Sequence, residues 1–102
     1  MIYNKAVRDK IPEIIKNFDG KCSFKTLDDE EFLVEIQKKL LEEINEYQNN
    51  NDVTELVDIL EVVYRIAQLK GVSKEELEKI RVQKAKDRGT FDKNLFLISA
   101  DK

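Results

Sequence analysis

Hydrophobic residues recur at helical spacing in three long stretches of the chain. Phe32, Leu33, Ile36, Leu40, Ile44 and Tyr47 form one stripe, and Asp28 with Glu31 supplies a helix-start signal before it. That pattern predicts a helix of about five turns, ending at the polar cluster Gln48-Asn49-Asn50-Asn51. Val53, Leu56, Val57, Leu60, Val63 and Ala67 mark the next helix, with Asn51 or Asp52 as its cap and Gly71 as its stop. Ser73 and Glu76 form a capping-box signal for a third, which carries Leu77, Ile80, Arg81 and Val82 and ends at Gly89. Upstream, Val7, Ile11, Ile14, Ile15 and Phe18 are also helically spaced. Pro12 divides Lys5 to Phe18 into two short helical pieces, because its ring starts a new turn or bends an existing one.

Two segments read differently. From Lys21 to Leu27, Cys22, Phe24 and Thr26 alternate with Lys21, Ser23 and Lys25, predicting a strand near 21–27. Leu95-Phe96-Leu97-Ile98 predicts a second strand near 94–99, and pairing the two gives each strand's backbone groups a partner. No repeat, low-complexity block or linker interrupts the chain, so residues 1–102 are read as a single, mainly α domain with a small two-stranded β element.

Composition removes most catalytic chemistries. There is no His, which excludes nucleophile–His relays and His-ligated zinc or haem. Cys22 is the only Cys and is expected to pack rather than react, and one thiol cannot build a Cys-only metal site. Three glycines, Gly20, Gly71 and Gly89, are too few and too scattered for a P-loop or a dinucleotide fingerprint. What remains is carboxylate chemistry, hard cations, and Lys or Arg contacts to anions. Charged residues make up 38% and hydrophobic ones 41%, a globular balance, and the net charge of -3 gives no general attraction to nucleic acid. No apolar run is long enough to cross a bilayer and the first residues lack a signal-peptide core, so the cytoplasm is the expected compartment, with no membrane or nucleic-acid partner.

The informative residues are acids on apolar faces. With Ile36 at zero and about 100° per residue, the core stripe spans about -40° to +80°, and Glu43 falls within it at about -20°. Glu46 lies at its edge, while Glu42 turns further out. On the next helix apolar residues cover most of the circumference, since Ile59, Val62, Ile66 and Leu69 extend the face of Leu56, Leu60 and Val63. Part of that helix is therefore expected to meet a second subunit. Glu55 sits among the extra apolar residues and Asp58 at their border. Two adjacent helices thus present Glu43, Glu46, Glu55 and Asp58 towards one cleft. Crowded like charges need an offset, and a hard divalent cation supplies one, because Mg²⁺ takes carboxylate oxygens and completes its shell with water and phosphate. The plainer alternative is a solvated face carrying ordinary i,i+4 pairs, Lys38 with Glu42 or Lys39 with Glu43.

Glu42-Glu43-Ile44-Asn45-Glu46 followed by Glu55-Leu56-Val57-Asp58 resembles the E-x-x-E and E-x-x-D motifs of the MazG-like all-α nucleoside triphosphate pyrophosphohydrolases, the superfamily that includes phosphoribosyl-ATP pyrophosphohydrolase. Tyr3-Asn4-Lys5-Ala6-Val7-Arg8-Asp9-Lys10-Ile11-Pro12 and Lys84-Ala85-Lys86-Asp87-Arg88-Gly89-Thr90-Phe91 resemble the opening and closing motifs of a small house-cleaning branch of that superfamily. The similarity spans nearly the whole chain. It implies a MazG-like helical bundle that assembles as a homodimer or homotetramer. It also implies Mg²⁺, or Mn²⁺ in its place, held by Glu43, Glu46, Glu55 and Asp58, and cleavage of a nucleoside triphosphate between its α and β phosphates. Only the eight residues Tyr47 to Thr54 separate the acidic motifs, a shorter spacing than in the wider superfamily, which implies a trimmed loop near the nucleobase.

The inventory suits such chemistry, since phosphoryl hydrolysis asks chiefly for placed charges and an oriented water. Glu43 is the candidate general base acting through water, and Glu42 is the substitute ligand if the register shifts by one. Phosphate contacts are expected from Lys5, Arg8 and Lys10 near the start and from Lys84 and Arg88, four apart on the last helix. Two alternatives stand beside this expectation. One is the phosphoribosyl-ATP reaction, and the other is a noncatalytic helical dimerisation or regulatory module built on the apolar surface of Val53 to Leu69.

Overall fold

The computed structural model describes residues 1–101, and they form four helices: α1 (Ile11–Asn17), α2 (Asp29–Asn50), α3 (Val53–Leu69) and α4 (Lys74–Arg88). The caps of the three long helices are those the local sequence specifies. Asp28 accepts from the Glu31 N–H at 2.8 Å, and Asp52 accepts from the Thr54 N–H at 2.9 Å. Ser73 and Glu76 close a reciprocal capping box. Between α2 and α3 the chain reverses through Asn51, whose left-handed backbone (φ 54°) suits Asn better than most residues. Gly71 and Gly89 occupy positive φ values of 86° and 85° just beyond α3 and α4, where a Cβ would be strained.

The α2–α3 hairpin is the centre of the fold, and α4 packs on α3. Ala6, Ile36 of α2 and Val62 of α3 form the buried cluster, flanked by Phe32, Leu33, Leu40, Ile66 and Leu69. The side of α3 turned to α2 is therefore the one carrying Val62, Ile66 and Leu69, together with Glu55 and Asp58. Its opposite side, with Val53, Leu56, Val57 and Leu60, is exposed. The all-round apolar pattern of α3 has thus been divided: one sector closes the hairpin and the other faces outward.

The N-terminal segment departs from expectation. Only one helical piece forms, because Pro12 takes the first turn of α1, where its missing N–H is not needed. Residues 1–10 instead run as a non-helical strap that inserts Ala6 between α2 and α3. Among the described residues no strand forms, and 21–27 and 94–99 are both irregular. Leu95 to Ile98 and Phe24 are exposed, as is Cys22, which the sequence led us to expect in the packing.

The chain buries little of itself. Its accessible area is 9556 Å², against roughly 6,000 Å² for a compact monomer of this mass. Its radius of gyration is 17.8 Å, against about 13 Å for a closed domain of this length. No helix among the described residues is long and apolar enough to cross a membrane.

Candidate metal centre

Glu43 projects from the middle of α2 into the hairpin, where it is only 6% exposed, the one charged residue buried among the described residues. The helical register forces this. Leu40 and Ile36, one and two turns earlier, lie on the core stripe, and position 43 follows them. Glu55 and Asp58 lie three apart on the facing side of α3, so both carboxylates turn towards Glu43.

Two overlapping triads result. Glu42, Glu43 and Glu46 bring carboxylate oxygens within 4.8 Å of one another, as do Glu43, Glu55 and Asp58. Glu43 belongs to both. One of its oxygens, Oε1, lies 3.3 Å from Lys39 Nζ. The other, Oε2, is buried with no hydrogen-bond partner. Such an orphaned carboxylate oxygen costs a folded chain several kcal/mol by general estimates, so it calls for a missing partner.

The surrounding charges show how crowded the site is. Repulsion from Glu43 holds the Glu46 carboxyl above the usual carboxylate range, with Glu55 and Glu42 adding to the effect. Glu42 is held below that range by its 2.8 Å hydrogen bond from Lys5, which in turn raises the Lys5 ammonium. Lys39 also approaches Glu42, at 3.4 Å. Arg8 donates to Asp58 at 2.7 Å, and the Asn50 side-chain amide donates to Glu55 at 3.2 Å. Two acids of the cluster, Glu42 and Asp58, thus have strap cations and Glu55 has an amide, while the most deeply buried acid retains a bare oxygen. The donors are all carboxylate oxygens, a hard set that could hold a metal ion.

The structure brings together Glu43, Glu46, Glu55 and Asp58, with Glu42 beside them and Lys5 and Arg8 at the rim. It does not bring Lys10, Lys84 or Arg88 there. Lys10 is the N-cap of α1, and Lys84 and Arg88 line a shallow depression on α4 with Ile80, Gln83 and Asp87. None of the three forms an ion pair among the described residues. A larger apolar cleft of ≈ 380 Å³, bounded by Leu40, Val63, Ala67, Leu77 and Ile80, lies among α2, α3 and α4 and contains none of the clustered acids.

Lys39 is the participant that sequence reasoning passed over. As one member of an i,i+4 pair it looked like surface decoration, yet its side chain is only 16% exposed. The signal was available, because a residue four before a buried acid shares its face. No family model, curated protein or solved structure matches the chain.

Proposed function

We propose that this chain is a divalent-cation-dependent nucleoside triphosphate pyrophosphohydrolase of the MazG-like type, with Glu43, Glu46, Glu55 and Asp58 as the cation ligands. The observation that carries this reading is the unpartnered buried Oε2 of Glu43 amid acids of both helices. A structural acid would be expected to be paired or to point to solvent, whereas a ligand oxygen must be kept free and aimed inward.

A bound Mg²⁺ neutralises phosphate oxygens and lowers the pKa of water beside it, which provides a nucleophile in a protein without His. The chain's own residues do the rest. Glu43 is desolvated, which strengthens its hold on a cation, and it is placed to take a proton through water. Lys39 fixes its orientation through Oε1. Arg8 and Lys5 supply positive charge at the rim for the triphosphate. The products are a nucleoside monophosphate and pyrophosphate, and the role proposed is clearance of noncanonical nucleotides in the cytoplasm. Lys10, Lys84 and Arg88 remain phosphate contacts only if assembly or substrate brings them to the cluster.

The working unit in this reading is a homodimer or homotetramer. The area left open on one chain exceeds that of a closed monomer by a margin on the scale of an obligate interface, and the exposed sector of α3 offers a contiguous apolar face for a second copy. The MazG-like bundle, with a small two-stranded element of 21–27 against 94–99, belongs to the same proposal.

Pyrophosphate release from a panel of canonical, deoxy and modified triphosphates, together with phosphoribosyl-ATP, tests the activity with Mg²⁺ and then with chelator. Release from some triphosphates is expected, abolished by chelator and by Glu43→Gln or Asp58→Asn with helicity retained. Release from phosphoribosyl-ATP alone would replace the substrate. Silence across the panel would leave the noncatalytic helical module as the better account.

A further inference from the structure

The strap of residues 1–10 is fastened at three points. Ala6 is buried with Ile36 and Val62, Lys5 holds Glu42 of α2 at 2.8 Å, and Arg8 holds Asp58 of α3 at 2.7 Å. The two ion pairs differ in what they hold. Glu42 lies outside the proposed ligand set, so a cation held by that set does not compete with Lys5 for it. Asp58 lies inside it, in the triad with Glu43 and Glu55. A cation that takes up Asp58 must compete with the guanidinium. Both partners of that pair are substantially solvated, so the contact is weak and readily exchanged. Released from Asp58, Arg8 retains its planar fork of donors, suited to two oxygens of a phosphate, while Ala6 and Lys5 keep it at the site.

We propose that Arg8 is an exchangeable counterion: it occupies Asp58 when the acid cluster is free of cation, and it passes to a phosphate group when a divalent cation takes Asp58. Cation and phosphate binding are thereby linked through one side chain. Entry of the cation both removes the carboxylate from Arg8 and brings the anionic ligand that Arg8 then holds. This inference rests on the cation site of the proposed function.

The test is calorimetric titration of the full chain with Mn²⁺ alone, and then of the Mn²⁺-loaded protein with inorganic phosphate. Wild type is compared with Arg8→Gln and with Lys16→Gln, a control of equal charge change on α1. Arg8→Gln is expected to bind Mn²⁺ about threefold more tightly than either other protein, the scale of one exposed ion pair released. Its phosphate affinity in the loaded state is expected to fall about tenfold, as for loss of one charge-assisted contact. Lys16→Gln should match wild type in both. Saturable and equal Mn²⁺ binding by all three proteins, or undiminished phosphate affinity in Arg8→Gln, overturns the exchange and leaves the cation site standing. Failure of all three to bind Mn²⁺ removes the cation site and the exchange with it.

Discussion

Lys39 and Glu43 sit one helical turn apart on α2 with Nζ 3.3 Å from Oε1, both largely buried, and this contact satisfies only half of the carboxylate. Lys39 is the countercharge that lets a chain without bound cation bury Glu43. Removing it strands the anion. Lys39→Met, which keeps most of the aliphatic stem, is expected to cost about 3 kcal/mol of folding stability, in the range for breaking a buried pair. The double variant Lys39→Met/Glu43→Gln should recover most of that loss. Urea unfolding of the four proteins measures the coupling, and additive effects would show that the pair is incidental.

The outward sector of α3 carries the assembly prediction. Val57 and Leu60 are exposed in the single chain, on the side of the helix away from α2. Sedimentation of the wild type should give a dimer or tetramer, and Val57→Glu with Leu60→Glu should give a monomer with lower thermal stability. A wild type that sediments as a monomer at micromolar concentration contradicts this role for the face.

Asp52 sets a pH dependence that is separate from the acid cluster. The Thr54 backbone N–H bonded to its carboxylate holds the folded-state pKa below the ordinary value. The resulting stabilisation is complete above the unfolded pKa, near pH 4, and is lost as pH falls from there through the depressed folded value. Asp52→Asn keeps a capping side chain but does not ionise, so its stability should decline less steeply between pH 5 and pH 3 by rough bounds. Parallel curves for the two proteins would remove this contribution.

How far the sequence reveals this molecule depends on the range of the interaction. Caps such as Asp28, Asp52 and Ser73 act within three residues, and their positions follow directly from local patterning. Glu43 was legible for the same reason, because helical periodicity alone places it on the core stripe. The orientation of α3 was not legible. An apolar pattern extending most of the way round gives no preferred direction, and only packing against α2 selects Val62 over Leu56 for the interior. The strap was equally hidden: Arg8 meets Asp58 across 50 residues of chain, and hydrophobic spacing around Val7 suggested a helical piece ahead of Ile11, where none forms. For 21–27 and 94–99 the alternation and apolar content suggested two paired strands, and both segments are irregular among the described residues, because pairing of segments about seventy residues apart is not encoded in local patterning.

If the inward carboxylates of α2 and α3 hold a divalent cation, Mn²⁺ binding must differ between the wild type and Glu43→Gln. Saturable binding to the wild type is expected, weakened about tenfold or more in Glu43→Gln, with unchanged helicity. A wild type that takes up no Mn²⁺, or a Glu43→Gln variant that binds it equally well, would contradict the account.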